Sequence, residues 1–208
     1  MAKYTVKQGE CIESIAFDNG FFWETVWKDS QNAELKQKRK DPNVLLAGDE
    51  VFIPDKREKT ESGATEERHR FRKKGVPAML RIRLIDDDKP RANESYTLEI
   101  DGELFSGTTD DDGTLEHPIS PGAKKGRLLV GEEQDEYLLD LGYLDPVDEI
   151  AGVQGRLNNL GFHCGAVDGV LGPKTEAALT DFQKRCGLPE SGKIDQATRD
   201  KLIDIYGR

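Results

Sequence analysis

The apolar positions of this chain change their period from segment to segment. Residues 3 to 8 alternate, with Tyr4 and Val6 on one face, and Gly9-Glu10 breaks the run. Ile12, Ile15 and Ala16 then recur at helical spacing. After Asp18-Asn19-Gly20 a second short helix is predicted with Phe22, Val26 and Trp27 inward. Gly48-Asp49 forms a turn, and Val51-Phe52-Ile53 a closing strand that Pro54 ends. Residues 1–55 therefore predict strand, helix, helix, strand.

Residues 56–76 are charge-dense, contain Ser62-Gly63 and have no apolar period, which reads as a flexible linker. From 77 to 144 the period becomes two. Met79–Ile85, Ser95–Ile100, Leu104–Gly107, Gly113–Ile119, Gly126–Val130 and Tyr137–Leu141 are the expected strands. Asp101-Gly102 and Asp112-Gly113 are expected hairpin turns, and an antiparallel β-sandwich of six or seven strands follows. Residues 145–208 return to a helical period. Asp145 is the expected cap of a first helix with Pro146 in its first turn and Val147, Ile150, Val153, Leu157 and Leu160 inward, ended by Gly161. Gly172-Pro173 opens a second helix through Cys186, with Ala178, Leu179 and Phe182 inward. Asp195 caps a third, from Gln196 to Ile205. A weak repeat sets Val167-Asp168, Thr175 and Leu179 against Ile194-Asp195, Thr198 and Leu202. The fold class is multidomain α+β.

Composition narrows the function. A net charge of −10 with a pI near 4.9 argues against nucleic acid or anionic lipid as a partner. Arg68-His69-Arg70-Phe71-Arg72-Lys73-Lys74 is a local exception that reads as solvated linker or as a contact for an acidic partner. No apolar run reaches the roughly 20 residues that span a bilayer, so no membrane is expected. The amino terminus shows no apolar h-region. Synthesis in the cytoplasm is expected, with action at the cell wall or periplasm only after export by a non-Sec route.

No catalytic set assembles. His69, His117 and His163 fall in three different segments, and no metal-ligand spacing occurs, so neither metal nor other cofactor is expected. Asp110-Asp111-Asp112 reads as an acidic turn rather than a calcium loop, because the terminal glutamate and flanking helices are missing. Cys11, Cys164 and Cys186 are odd in number and irregularly spaced, so reduced thiols are the default, with a Cys164–Cys186 pair open if the protein is exported.

Two motif sets resemble known families. Val153-Gln154-Gly155-Arg156-Leu157, Leu160-Gly161-Phe162, Val167-Asp168-Gly169, Leu171-Gly172, Thr175, Ala178-Leu179 and Phe182-Gln183, followed by Gly192-Lys193-Ile194-Asp195 and Thr198, closely resemble the peptidoglycan-binding family 1 domain, a three-helix module. The resemblance places Asp168, Gly169, Gly172, Thr175, Phe182 and Gln183 on its signature. Most of these also serve turn, cap or core, and Gln183 is the expected exposed contact. Tyr4 to Ala16 and Leu46 to Pro54 resemble a LysM domain, with Glu10, Cys11 and Ile12 where the family has G-D-T or G-D-S and Leu, and with a charged insertion, Glu34 to Lys40. That likeness implies a saccharide groove lined by Gly9, Glu10, Cys11 and Ile12 with Asn43, Val44, Leu45 and Leu46. The stretch from Tyr96 to Gly113 loosely resembles transthyretin-like β-sandwiches that act as spacers.

These resemblances imply a non-enzymatic protein that holds peptidoglycan through two weak modules, each multiplying the effect of the other. An alternative is an accessory of a contractile injection machine (a type VI secretion system, an extracellular injection system or a phage tail), whose LysM-like module contacts spike, tube or effector proteins. A third reading makes the modules a targeting accessory of a hydrolase on another chain.

Overall fold

A computed structural model describes residues 2–56, 62–69, 78–86 and 89–206. Most of the expected linker (57–61 and 70–76), most of its basic run, and Pro77 lie outside the described residues.

The amino-terminal elements are β1 (Ala2–Thr5), α1 (Ile12–Asp18), α2 (Trp23–Trp27), a 3-10 turn at Ser30–Asn32, α3 (Ala33–Arg39) and β2 (Glu50–Ile53), with β1 paired to β2. The charged insertion thus folds as a helix, α3, which buries only Leu35. The described chain forms two compact units, one from residues 1–4, 12–33 and 51–141, the other from 5–11, 34–50 and 142–208.

In the first unit α1 buries Ile12, Ser14, Ile15 and Ala16, and α2 buries Val26 and Trp27. Phe22, expected inward, is instead the extended residue preceding α2 and is about half exposed. A five-residue helix has little more than one turn, so its inward face is filled by Val26 and Trp27. Asn32 is buried, and its amide donates to the carbonyls of Val26 (2.8 Å) and Phe52 (2.9 Å) while accepting from the Phe52 amide (2.7 Å). One side chain thus supplies β2 with hydrogen bonds that a further strand would otherwise give.

The remaining strands of this unit are β3 (Ala78–Arg83), β4 (Ile85–Asp86), β5 (Lys89–Pro90), β6 (Ser95–Ile100), β7 (Glu103–Thr108), β8 (Thr114–Ile119), β9 (Lys125–Val130) and β10 (Asp135–Asp140). All six expected strands occur, joined by the short pair β4 and β5. They form one four-stranded antiparallel sheet, ordered β10-β9-β6-β7, and a separate antiparallel pair of β3 with β8. Leu98, Ile100, Leu128 and Val130 from the first sheet and Leu115 from the second meet in one core with Leu84 and Tyr96. Asp101-Gly102 is a two-residue hairpin turn with both residues left-handed (φ 49° and 85°), as the twist of the paired strands demands. Asp112-Gly113 is not a hairpin turn. β7 pairs with β6 and β8 with β3, so this turn carries the chain from one sheet to the other. The Asp110 carboxylate ties it by accepting from the amides of Asp112 (3.0 Å) and Thr114 (2.7 Å).

The second unit holds the carboxy-terminal helices α4 (Ile150–Asn159), α5 (Pro173–Arg185) and α6 (Gln196–Tyr206). Val153, Leu157, Cys164, Ala178, Leu179, Phe182 and Leu202 form their core. The start of α4 departs from expectation: Asp145 does not cap it, and the helix begins at Ile150 behind Glu149. Residues 146–149 form a turn instead, in which the Glu149 amide donates to the Pro146 carbonyl (3.0 Å). Gly152 explains the tight packing of this turn, since a Cβ there would sit 2.0 Å from the Pro146 carbonyl oxygen and 2.5 Å from that of Asp145. All three cysteines are free thiols, with Cys164 and Cys186 unbridged and their pKa values raised by burial.

Also in this unit, Arg39 and Asp49 form a pair whose side chains are 3% and 5% exposed, joined at 2.6 Å and 2.9 Å. Burial pushes the Asp49 pKa up, but the bonds from Arg39 and the Leu46 amide outweigh it and leave the value below normal. A depressed carboxylate stabilises the fold at pH above the unfolded value near 3.9, and that contribution is lost as pH falls through the folded value. Asp49→Asn, which strands the Arg39 charge, is expected to destabilise the protein by roughly 3 kcal/mol at pH 7. It should also flatten the loss of stability below about pH 4, as measured by urea denaturation across that range.

Candidate functional site

The carboxy-terminal helices present two loops built on one plan. In the first, the amide of Gln154 on α4, 1% exposed, donates to the Asp168 carboxylate (2.9 Å), the Val170 carbonyl (3.1 Å) and the Thr175 hydroxyl (3.1 Å). Its oxygen accepts from the amides of Asp168 (3.1 Å) and Gly169 (2.8 Å). In the second, Gln183 on α5 donates to the Ser191 hydroxyl (3.2 Å), the Lys193 carbonyl (2.9 Å) and the Thr198 hydroxyl (2.9 Å), and accepts from the Gly192 amide (2.9 Å). The repeat therefore matches Thr175 to Thr198 and Leu179 to Leu202, as the sequence suggested. It matches Asp168 to Ser191 rather than to Asp195, whose counterpart is Gly172. Gly172 and Asp195 are the residues that precede α5 and α6.

This plan corrects the expectation for Gln183. The side chain is fully buried under loop 191–193, whose backbone it holds, and is not the exposed group that the sequence suggested. Thr175 and Phe182 are buried as well, at 2% and 1% exposure. Of the six residues on the family signature, Asp168 and Gly169 are exposed and Gly172 is half-buried. Hydrogen bonds from Gln154 and the Val170 amide hold the Asp168 carboxyl below the usual carboxylate range, so it carries a full charge at neutral pH.

Sequence reading missed the apolar residues around Asp168. Val167, Val170 and Leu171 are 52%, 60% and 37% exposed, consecutive but for Asp168 and Gly169. The equivalent second loop has Glu190 and Lys193 in place of Val167 and Val170, while Leu171 is matched by Ile194, which is half-buried, so the two loops share a frame and differ in chemistry at the two valine positions.

The expected saccharide groove of the amino-terminal segment is only partly available. Ile12 is fully buried and Leu45 is 5% exposed, so both are core. Gly9 is buried, and the ring of Tyr143 lies 3.2 Å from where its Cβ would be. That face of Gly9 is filled by the protein itself and cannot receive a sugar. Glu10 accepts from the Lys7 amide (2.9 Å) and, like Cys11, is partly buried. Asn43 is exposed, whereas Val44 and Leu46 are half-buried. Among the described residues no group of three or more His, Cys, Asp or Glu side chains could hold a metal ion, and no helix is long and apolar enough to cross a membrane.

Comparison with known proteins assigns the helical part. Residues 147–202 match the family model described as "Putative peptidoglycan binding domain", and this part of the chain is a peptidoglycan-binding domain of that family. A "Spore cortex-lytic enzyme" of Oceanobacillus iheyensis is 41% identical over 56 residues, 27% of this chain and 20% of that protein. "N-acetylmuramoyl-L-alanine amidase CwlM" of Mycobacterium tuberculosis is 44% identical over 61 residues, 29% of this chain and 15% of that protein. "Putative OxPP cycle protein OpcA" of Nostoc punctiforme is 37% identical over 116 residues, 53% of this chain and 21% of that protein. The chain thus spans about a fifth or less of the length of these relatives. No solved structure matches.

Replacing Gln154 by Leu removes the partner of four backbone or hydroxyl groups and is expected to destabilise the protein by about 3 kcal/mol. It should also raise the Asp168 pKa toward the ordinary range, whereas Gln183→Leu should destabilise similarly and leave Asp168 unmoved. Denaturation curves and an NMR titration of Asp168 distinguish the two.

Proposed function

We propose that this chain is a non-catalytic protein that binds peptidoglycan, with its carboxy-terminal domain as the main contact. The observation that carries this reading is the loop Val167–Leu171. It lies inside the matched domain and offers three exposed aliphatic side chains and an ionised carboxylate on a backbone fixed by a buried amide. Polymer recognition needs only such a preformed surface, because the glycan and its peptides bring their own hydrogen-bonding groups. The similarity to a cortex-lytic enzyme and an amidase covers only 56 to 61 residues, about the length of the matched domain, which supports a portable holding function that can be joined to different partners. The amino-terminal segment, LysM-like in the order of its elements, would add a second weak contact through the exposed Asn43. The place of action in this reading is the cell wall.

Purified sacculi test this directly. The native chain is expected to sediment with them and to release no soluble fragments on long incubation. Val167→Ser combined with Val170→Ser, both exposed and harmless to the core, should cut retention at least fivefold, while Asn43→Ala lowers it less than twofold. Unchanged retention in the double variant would remove the loop from the contact, and fragment release would show the protein to be lytic.

A further inference from the structure

Within the second unit a cleft of about 340 Å³ is lined by residues from 38–44, 146–148 and α6 together with Arg156. Part of its wall, residues 38–44, lies outside the matched domain, so the cleft is a feature of this chain rather than of that domain alone. Its chemistry stands out in a protein of net charge −10. Arg39 and Lys38 line it but are committed to Asp49. Arg156 and Arg199 also line it, and in each the Nε is buried without a hydrogen-bond partner. Arg156 is only 3% exposed. One of its terminal nitrogens donates to the carbonyls of Asp145 (2.8 Å) and Gly152 (2.9 Å), and burial pushes its pKa down. The Arg156 guanidinium also lies over the Tyr206 ring, 5.8 Å from its centroid, so what calls for an explanation is the one buried Nε–H left without an acceptor in each arginine.

An anion in the cleft supplies one. The opposite charges present set limits on which anion: Asp148 and Asp200 share the lining, and Lys40 stands beside Asp41. A doubly charged phosphate would face these carboxylates, whereas a single carboxylate held by two guanidinium groups, next to an ammonium near the aspartates, matches both signs. The volume is at the lower end of ligand pockets, roughly 300 to 1,000 Å³, so the occupant is short. Val44, Val147 and Ile203 supply an apolar wall for its side chains.

We propose that this cleft binds the free carboxylate of a short peptide, with Arg156 and Arg199 receiving the anion and Asp148 and Asp200 facing a neighbouring ammonium. The source of that peptide, the stem of the wall polymer, rests on the wall-binding reading. It gives the protein a second subsite that reads the peptide and not the sugar.

The test uses the full chain and soluble disaccharide-peptide fragments released from sacculi by a muramidase, either as isolated or with their carboxyl groups converted to carboxamides. Calorimetric titration at one fixed ionic strength is expected to show at least tenfold weaker binding of the carboxamide form. Arg199→Gln should weaken the acid form at least tenfold and leave the carboxamide form unchanged, and Lys40→Gln, at an exposed position that folding does not need, should weaken the acid form about threefold. Equal affinity for the two forms, or discrimination that survives in Arg199→Gln, overturns the proposal. Sacculus retention with no binding of fragments overturns this site and leaves wall binding standing. Loss of sacculus retention with carboxylate discrimination intact does the reverse.

Discussion

Loops that cross a folded surface carry backbone groups that must find partners, and this chain meets that constraint repeatedly with a buried primary amide. Asn32, Gln154 and Gln183 are each 1% exposed or less, and each hydrogen-bonds to backbone groups distant in the sequence. An amide suits the task because it offers two donors and an acceptor in one plane, so a single side chain can satisfy a carbonyl and an N–H in succession. The loop geometry of the carboxy-terminal domain follows from it: the backbone from Asp168 to Val170 is held on Gln154, and the aliphatic side chains beside it are thereby displayed.

The two loops of that domain show how a duplicated frame can diverge. Both rest on a glutamine and a threonine, with a glycine amide donated to the glutamine oxygen. In one the neighbouring positions 167 and 170 are valines, in the other the matching positions are Glu190 and Lys193. The frame is a folding requirement, and the residues set upon it are free to serve recognition. The cleft beside Arg156 shows a different case, in which the Nε of Arg156 and of Arg199 is buried without a hydrogen-bond partner although Arg156 is otherwise held by two carbonyls.

Much of the organisation was legible from periodicity. The alternation over 78–140 found the strands because each places one face on a core, Gly172-Pro173 marked the start of α5 because proline suits the first helical turn, and Asp195 marked α6 because its carboxylate accepts from a first-turn amide. The glycines and threonines of the carboxy-terminal signature were legible as turn and cap residues for the same reason. Errors arose where the deciding partner is remote. Gln183 beside Phe182 reads as a polar surface residue on α5, and only loop 191–193, folded over it, makes it core. Phe22 reads as an inward aromatic at helical spacing, but the helix is too short to include it. Asp112-Gly113 has the chemistry of a hairpin turn, yet hairpin formation requires that the flanking strands pair, and they belong to different sheets.

The sequence by itself determined the local elements, the order of segments and the membership of residues 147–202 in a peptidoglycan-binding family, because helix caps, turn residues and apolar periods act over a few neighbours. Tertiary structure alone decided strand pairing, the burial of Gln154, Gln183 and Arg156, the filling of the Gly9 face by Tyr143 and the exposure of Val167, Val170 and Leu171. Each of these depends on which distant surface covers a side chain, and hydrophobicity along the chain carries no record of that.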